Sequence, residues 1–268
     1  MRRGRPDYTF GDTPVAGRRL ELLADVLDPS TRAFLAQVAP SSPSVALDLG
    51  CGPARSTRLV AQVAGARRTI GVDTSQPFLE RATRSSPPDV TFVQHDATST
   101  PLPGAPAGLI YCRLLLAHVS DPAATVRAWI TQLAPGGRLL VEEMEWIDAP
   151  HPVLARYESV VLDLVTSRGA PMYAGPSLAT IGGDRGWRSV ANGVQAVAVP
   201  APTAARIYGM NLTTWRDDPH IQERYSPDQL DDLARDLAGL ARSTSDDQIT
   251  WGVRQVAYER DPSSPART

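Results

Sequence analysis

The chain has 268 residues, 42% of them hydrophobic and 21% charged, with a formal net charge of −2 at pH 7. That length suits one large domain, or a core domain with a substantial insertion, and the near-neutral charge with no dense run of Lys or Arg excludes nucleic acid as the expected partner. Two cysteines and four scattered histidines give no disulfide framework and no metal-ligand spacing; no apolar run approaches the ~18 residues of a membrane span or forms a signal peptide, so the expectation is a cytoplasmic protein with no metal.

Residues 1–17, rich in Gly, Pro and Arg, read as an extended arm. From Arg18 to Val38 apolar residues recur at helical spacing with an interruption at Asp28 and Pro29, which predicts two helices. The chain then alternates strand and helix, with strands expected near 45–49, 69–73, 90–94, 108–112 and 138–144 and helices near 55–64, 76–84 and 122–133. Such alternation builds a parallel sheet with right-handed crossovers, whose ligands lie at the carboxyl ends of the strands.

Beyond residue 145 the alternation fails. His151 to Arg168 reads as a packing helix, followed by a loop over Gly169 to Pro176 that carries Met172 and Tyr173. Gly186 to Val199 reads as a sixth strand. Residues 203–246 form a second insertion, largely helical after Ser226 and Pro227, a natural N-cap and first helical residue. Ile249 to Tyr258 alternates as a last strand that should run antiparallel to the sixth, and Asp261 to Thr268 reads as a disordered tail.

Three acids close the first three strands: Asp48 before Gly50-Cys51-Gly52, Asp73 before Thr74, and Asp96 before Ala97. They recur at steps of about 25 residues, the length of one strand, turn and helix, which lines them along one crevice. Glycines at 50 and 52 let the backbone turn tightly and approach a ligand. A dinucleotide would place its pyrophosphate on that turn, where the Asp48 carboxylate repels it. S-adenosylmethionine carries no phosphate and has a cationic sulfonium and ammonium, which Asp48 suits. Asp73 would then accept from both ribose hydroxyls and Asp96 would take the adenine amino group.

These residues resemble the class I S-adenosylmethionine-dependent methyltransferases, in particular their small-molecule branch. The family's order of glycine motif, ribose acid, adenine acid and Pro-Gly-Gly before the fifth strand is met by Asp48 to Ala54, Asp73, Asp96-Ala97 and Leu133 to Gly137. Ala54 stands where the family usually has a third glycine. The resemblance implies an α/β, Rossmann-like, seven-stranded, mostly parallel sheet with an antiparallel last strand, helices on both faces, an N-terminal helical cover and helical lid insertions. It also implies S-adenosylmethionine as cofactor and S-adenosylhomocysteine as product. The corresponding divisions are 1–40 (arm and covering helices), 41–145 (cofactor-binding core), 146–185 (lid insertion and helix), 186–200 (sixth strand), 201–247 (second lid insertion), 248–260 (last strand) and 261–268 (tail). Tyr8 and Arg19 are expected to reach the methionine end of the cofactor, or else Arg18 and Arg19 form a solvated pair. Cys51, Cys112 and Arg113 complete the expected cofactor contacts.

For chemistry the sequence offers Glu143, either a general base at the end of the fifth strand or a solvated acid. His118 is either a base or part of the cap of the helix that follows. Alternation puts Glu143 and Glu145 on one face of the strand and Glu142 on the other. The two insertions carry Trp146, Met172, Tyr173, Tyr208 and Trp215, divided between lid core and an aromatic lining for a hydrophobic substrate. The expected function is methyl transfer to an oxygen or nitrogen of a small, hydrophobic, secondary-metabolite-like molecule, with a homodimer allowed. The alternatives are a non-methylating reaction on the same cofactor, such as decarboxylation or cyclisation, and an NAD-dependent oxidoreduction that Asp48 argues against.

Overall fold

The computed structural model describes residues 13–263, Ala170 and Arg185 excepted. Helix α1 (Pro14–Val38) leads into β1 (Ala46–Leu49), α2 (Arg55–Ala64), β2 (Thr69–Asp73), α3 (Gln76–Arg84), β3 (Val90–Gln94) and β4 (Ala107–Arg113). A 3-10 turn at Leu116–His118, α4 (Pro122–Thr131) and β5 (Leu133–Asp148) follow. The remainder comprises α5 (Pro152–Ser167), α6 (Gly175–Ala179), β6 (Trp187–Pro200), α7 (Ala201–Trp215), α8 (Pro219–Arg224), α9 (Pro227–Arg242) and β7 (Gln248–Arg260).

The strands form one seven-stranded sheet in the order β3-β2-β1-β4-β5-β7-β6, with the last strand antiparallel. β1 pairs in parallel with both β2 and β4, so the chain reverses its direction of progress across the sheet there, and the carboxyl ends of these strands open the crevice where such folds bind ligands. Period-two alternation feeds two apolar layers. Ala46, Leu109, Tyr111 and Leu140 join Phe34, Leu35 and Val60 on one face, while Leu47, Ile110, Leu139 and Val141 join Val126 and Trp129 on the other. Both faces are therefore buried, as the near-continuous apolar strands require.

Two compact units emerge. One, here the sheet unit, comprises Leu27–Glu145, Tyr173–Gln195 and Val253–Thr268 in their described parts; the other, the helical unit, comprises Met1–Val26, Trp146–Met172 and Ala196–Gly252 in theirs. Within the helical unit α5, α7 and α9 pack on one another. Leu230, Leu233, Leu237 and Leu240 of α9 are buried at helical spacing. Ser226 caps α9 as expected, its hydroxyl accepting from the Gln229 N–H while the Gln229 side chain accepts from the Ser226 N–H. No helix among the described residues is long and apolar enough to cross a membrane.

Three expectations need correction. The predicted break at Asp28 and Pro29 does not occur: α1 is continuous with Pro29 inside it. Proline costs a helix about 3 kcal/mol, and the neighbouring side chains supply compensation, Asp28 pairing with Arg55 and Arg113 and Thr31 bonding to Glu142. The fifth strand starts earlier and ends later than 138–144, because it accommodates Pro135-Gly136-Gly137 as a bulge: Ala107 faces Leu133 while Leu109 faces Arg138. Gly137 has no space for a side chain, since a Cβ would lie 2.8 Å from the Ala107 carbonyl oxygen. Helix also begins well before Ser226, in α7 and α8. The extended arm expected over 1–17 is helical from Pro14 onward, and residues 1–12 and 264–268 lie outside the described residues.

Candidate functional site

The turn after β1 is built by backbone that only certain residues adopt comfortably. Gly50 and Gly52 have φ of 70° and 50°, and Ala54, the residue before α2, has φ of 70°. Gly50 meets a second demand: a Cβ there would come within 3.1 Å of the Leu115 side chain. The turn remains tied to the sheet, because the N–H groups of Gly50 and Cys51 both donate to the Val72 carbonyl, at 2.8 and 3.1 Å.

Asp73 braces the two neighbouring turns at once. Its Oδ2 accepts from the Gly52 N–H at 2.8 Å and its Oδ1 from the Ser75 N–H at 2.8 Å, so the carboxylate at the end of β2 fixes the tip of the glycine turn. An ionised carboxylate offers about four acceptor positions, and these amides engage one on each oxygen. Asp96 lies two residues past β3; its Oδ1 accepts from the Thr98 N–H at 3.0 Å and hydroxyl at 2.8 Å, which rounds off the third turn. Beside it Ala97 is buried, and its carbonyl accepts from the Trp129 indole at 2.7 Å.

Asp48 is placed beneath the turn. It is 1% exposed, and its Oδ2 accepts from the hydroxyls of Ser56 at 2.7 Å and Thr57 at 2.6 Å, tying the end of β1 to the first turn of α2. Burial pushes its carboxyl up to about 6, opposed by those two hydroxyls and by the Arg113 guanidinium. Cys51 and Cys112 are buried, and the loss of water at each drives its thiol well above the ordinary range. Thr74 is exposed, its carbonyl accepting from the Gln94 side chain.

The ends of β4 and β5 hold a second polar network. Glu142 accepts from the Tyr111 hydroxyl at 2.5 Å, the Thr31 hydroxyl at 2.8 Å and the Gln255 amide at 2.7 Å. Arg113 turns toward α1, donating to Asp28 at 3.1 Å and Thr31 at 3.0 Å. Glu143 is 1% exposed and accepts from the Leu116 N–H at 2.6 Å. Burial lifts its carboxyl to about 8, against the pull of the Leu116 and Leu115 amides. Leu114, whose N–H donates to the Glu142 carbonyl at 2.9 Å, has φ 56°, a conformation costly for a branched side chain. Glu143 thus secures the segment whose Leu115 side chain lies against Gly50, and Glu145, across the same strand face, is paired with Arg254 at 2.5 Å.

The structure therefore gathers Asp48, Gly50, Cys51, Gly52, Asp73, Thr74, Asp96, Ala97, Cys112 and Arg113 along the ends of β1 to β4. Half-buried His118 closes the 3-10 turn, and the cap of α4 is Asp121, which accepts from the Ala124 N–H at 2.9 Å. Tyr8 lies outside the described residues. Tyr173 belongs to the sheet unit, and Arg19, Trp146, Met172, Tyr208 and Trp215 to the helical unit. There Arg19 donates to Asn211 at 3.0 Å, Tyr208 and Trp215 are buried, and Trp146 stands over Gly252. Sequence reasoning missed Thr31, Tyr111 and Glu142 as a network, and Ser56 and Thr57 as partners of Asp48. Two adjacent hydroxyls just past a glycine turn are the signal that could have found the latter.

What the rim offers a ligand is acceptors. The carboxylates of Asp73 and Asp96 close adjacent strands above buried Asp48, and the two arginines nearest in sequence to the turns, Arg55 and Arg113, both direct their guanidinium groups to Asp28. This set fits a ligand presenting hydroxyl, amino and cationic groups, and fits a diphosphate badly.

Part of the chain is similar to known methyltransferases. Residues 47–141 match the family described as "Methyltransferase domain". The chain is 32% identical over 133 residues to a trans-aconitate 2-methyltransferase of Azoarcus sp., covering 50% of this chain and 52% of that protein. It is 36% identical over 142 residues to another of the same name from Methylobacterium radiotolerans, covering 53% and 54%. The chain thus spans about half the length of the curated relatives it matches. In fold it is similar to a provisionally assigned methyltransferase of Bacillus halodurans, with a TM-score of 0.57 and 16% identity over 87% of this chain and 99% of that one.

Proposed function

We propose that this chain, whose residues 47–141 match the family described as "Methyltransferase domain", is a class I S-adenosylmethionine-dependent methyltransferase that transfers a methyl group from that cofactor to an oxygen or nitrogen atom of a hydrophobic small molecule of the secondary-metabolite kind. The observation that carries this reading is the acceptor-rich rim: Asp73 anchored on the Gly52 and Ser75 amides, Asp96 one strand further, and both nearby arginines turned away. The names of the trans-aconitate methyltransferase relatives support a small-molecule acceptor. The strand order supports the same cofactor over a nicotinamide dinucleotide, whose usual sheet runs 3-2-1-4-5-6 without an antiparallel strand inserted before the edge.

In this reading Asp73 holds the ribose hydroxyls, Asp96 and Ala97 meet the adenine, and the backbone of Gly50 to Gly52 runs along the sugar. Asp48 keeps the turn in shape from beneath. When bound, S-adenosylmethionine supplies an electrophilic methyl carbon on a sulfonium. The protein's own work is to orient the acceptor in line with that carbon and to keep water out, an alignment effect worth up to ~7–11 kcal/mol in ideal intramolecular cases. In this reading His118, which closes the 3-10 turn after β4, takes the proton from a hydroxyl acceptor. Glu143 serves by holding the Leu114 to Leu116 segment.

Calorimetry with S-adenosylhomocysteine and with NAD tests the cofactor, and labelled S-adenosylmethionine with a panel of phenols, amines and carboxylic acids tests the transfer. Binding of the homocysteine compound, indifference to NAD and label in an acceptor are expected. Binding of NAD in its place would remove the proposal.

A further inference from the structure

In the sheet unit one acid stands between the two arginines that border the glycine turn. Phe34, Leu35 and Val38 of α1 pack in one apolar layer with Leu59 and Val60 of α2 and Tyr111 of β4. The Val38 carbonyl accepts from Arg138 at 2.7 Å, and Arg138 lies opposite Leu109 near the start of β4. From Val38 back to Asp28 the helix spans about 15 Å, and from Leu109 to Arg113 the strand spans about 13 Å. Asp28 is thereby level with Arg113 at the carboxyl end of the sheet.

Its carboxylate is shared. Oδ1 accepts from Arg113 Nη1 at 3.1 Å, and Oδ2 accepts from Arg55 Nε at 3.3 Å and Nη2 at 2.9 Å. Arg55 is the first residue of α2, directly after Ala54, and Arg113 ends β4, whose Cys112 lies opposite Leu49 of β1. Without Asp28 this surrounding would suit phosphate: the amides of a glycine turn and a helix N-terminus favour an anion, and guanidinium groups are the side chains that phosphate oxygens engage in pairs. Asp48 is buried beneath the turn and engaged by Ser56 and Thr57, so it is Asp28 that bonds both arginines. These ion pairs are partly exposed and add little stability, and the apolar layer already seats this half of α1. Their consequence is electrostatic: two positive charges beside the turn meet a negative one that the chain itself supplies.

We infer that Asp28 is a specificity residue of the adenosyl site: as a resident carboxylate it occupies Arg55 and Arg113 and so denies the site to adenine nucleotides that carry phosphate. The inference deepens the proposed function and rests on it.

The test uses the intact chain in calorimetric titrations with adenosine, adenosine diphosphate and S-adenosylhomocysteine. The parent is expected to bind the diphosphate at least tenfold more weakly than adenosine. Asp28→Asn keeps the size and one acceptor oxygen but drops the charge, so its affinity for the diphosphate should rise at least tenfold while adenosine gains nothing. Adding Arg55→Gln or Arg113→Gln should reduce that gain at least threefold, and raised salt should shrink it. Asp28→Ala carries the same expectation should the Asn variant fail to fold. A merely structural role predicts a lower melting temperature with no gain for the diphosphate. A parent that binds the diphosphate as tightly as adenosine, a charge-free variant without the gain, or a gain that survives both added Gln substitutions would each overturn the inference. Absence of S-adenosylhomocysteine binding by the parent would strike the proposed function and this inference with it, whereas intact binding of that compound with unaltered discrimination in the variants strikes this inference alone.

Discussion

In the sheet unit the buried carboxylates of Asp48, Glu142 and Glu143 are each met by donors from turns and neighbouring strands, whereas in the helical unit the buried edges of Tyr157, Tyr208, Trp215 and Trp251 face one another, Asn211 and Glu158. The first arrangement completes itself without a ligand. Its hydrogen bonds fix a strained backbone, with non-glycine residues at φ 70° and 56°, in one geometry. The second is held by aromatic packing, with Tyr157 stacked on Tyr208 at 4.1 Å. A cofactor site that must place one reacting carbon gains from a scaffold fixed beforehand, while a helical packing core needs only to exclude water.

If that contrast is right, removing a carboxylate in the sheet unit should cost both shape and binding. The largest effect is expected at Asp73→Ala, which removes the proposed ribose acceptor and also the acceptor of the Gly52 and Ser75 amides. Affinity for S-adenosylhomocysteine should fall about 100-fold by calorimetry, the loss of about 2–3 kcal/mol of charge-assisted bonding. Stability in urea should fall by about 1 kcal/mol. Unchanged affinity would remove Asp73 from the site.

Glu143→Gln sharpens the comparison through pH. The carboxyl titrates near 8 in the folded chain against an ordinary 4.5. The folded state therefore holds the proton more tightly, and the stability tied to it is complete below the ordinary value and lost as pH rises through about 8. Gln keeps an acceptor for the Leu116 N–H and cannot ionise. Its melting temperature should accordingly fall less than the parent's as pH rises across that window, and turnover at neutral pH should survive. Asp48, shifted upward from 3.8 to about 6 by burial, contributes the same sign of slope over a lower range and remains in the variant. Loss of turnover with an unchanged pH profile would instead make Glu143 the base.

The smallest effect is expected at Ala54→Gly. A left-handed alanine costs about 1–2 kcal/mol, and glycine gives back about 0.5–1 kcal/mol in chain entropy, so the variant should gain about 0.5 kcal/mol in denaturant unfolding and keep its cofactor affinity. A loss of stability would mean that the buried methyl packs better than its backbone suggests.

The strands of the sheet, the glycine turn and the three acids could be read from the sequence because each is a local pattern: an apolar run, an acid, two glycines. What escaped was set by distant partners. Pro29 reads as a helix breaker until Thr31, two residues on, is seen bonded to Glu142 across 111 positions of chain. Pro-Gly-Gly before the fifth strand reads as its boundary, and only pairing with β4 shows it to be a bulge inside the strand. Glu143 looked like a strand-end acid facing water or substrate, and its burial depends on the path of Leu114 to Leu116. The aromatic residues of the insertions were visible as a composition, while which of them stack on one another is a property of packing alone.

The two thiols described above also have a practical use. Cys112 is paired in register with Leu49, two residues before Cys51, so both sulfurs sit at the same rim of neighbouring strands, fully enclosed and strongly disinclined to ionise. An alkylating dye can modify them only during excursions that part this edge of the sheet. The chain consequently carries its own stopwatch for such openings, and the pace of labelling with and without nucleoside present reads how firmly a guest shuts the door.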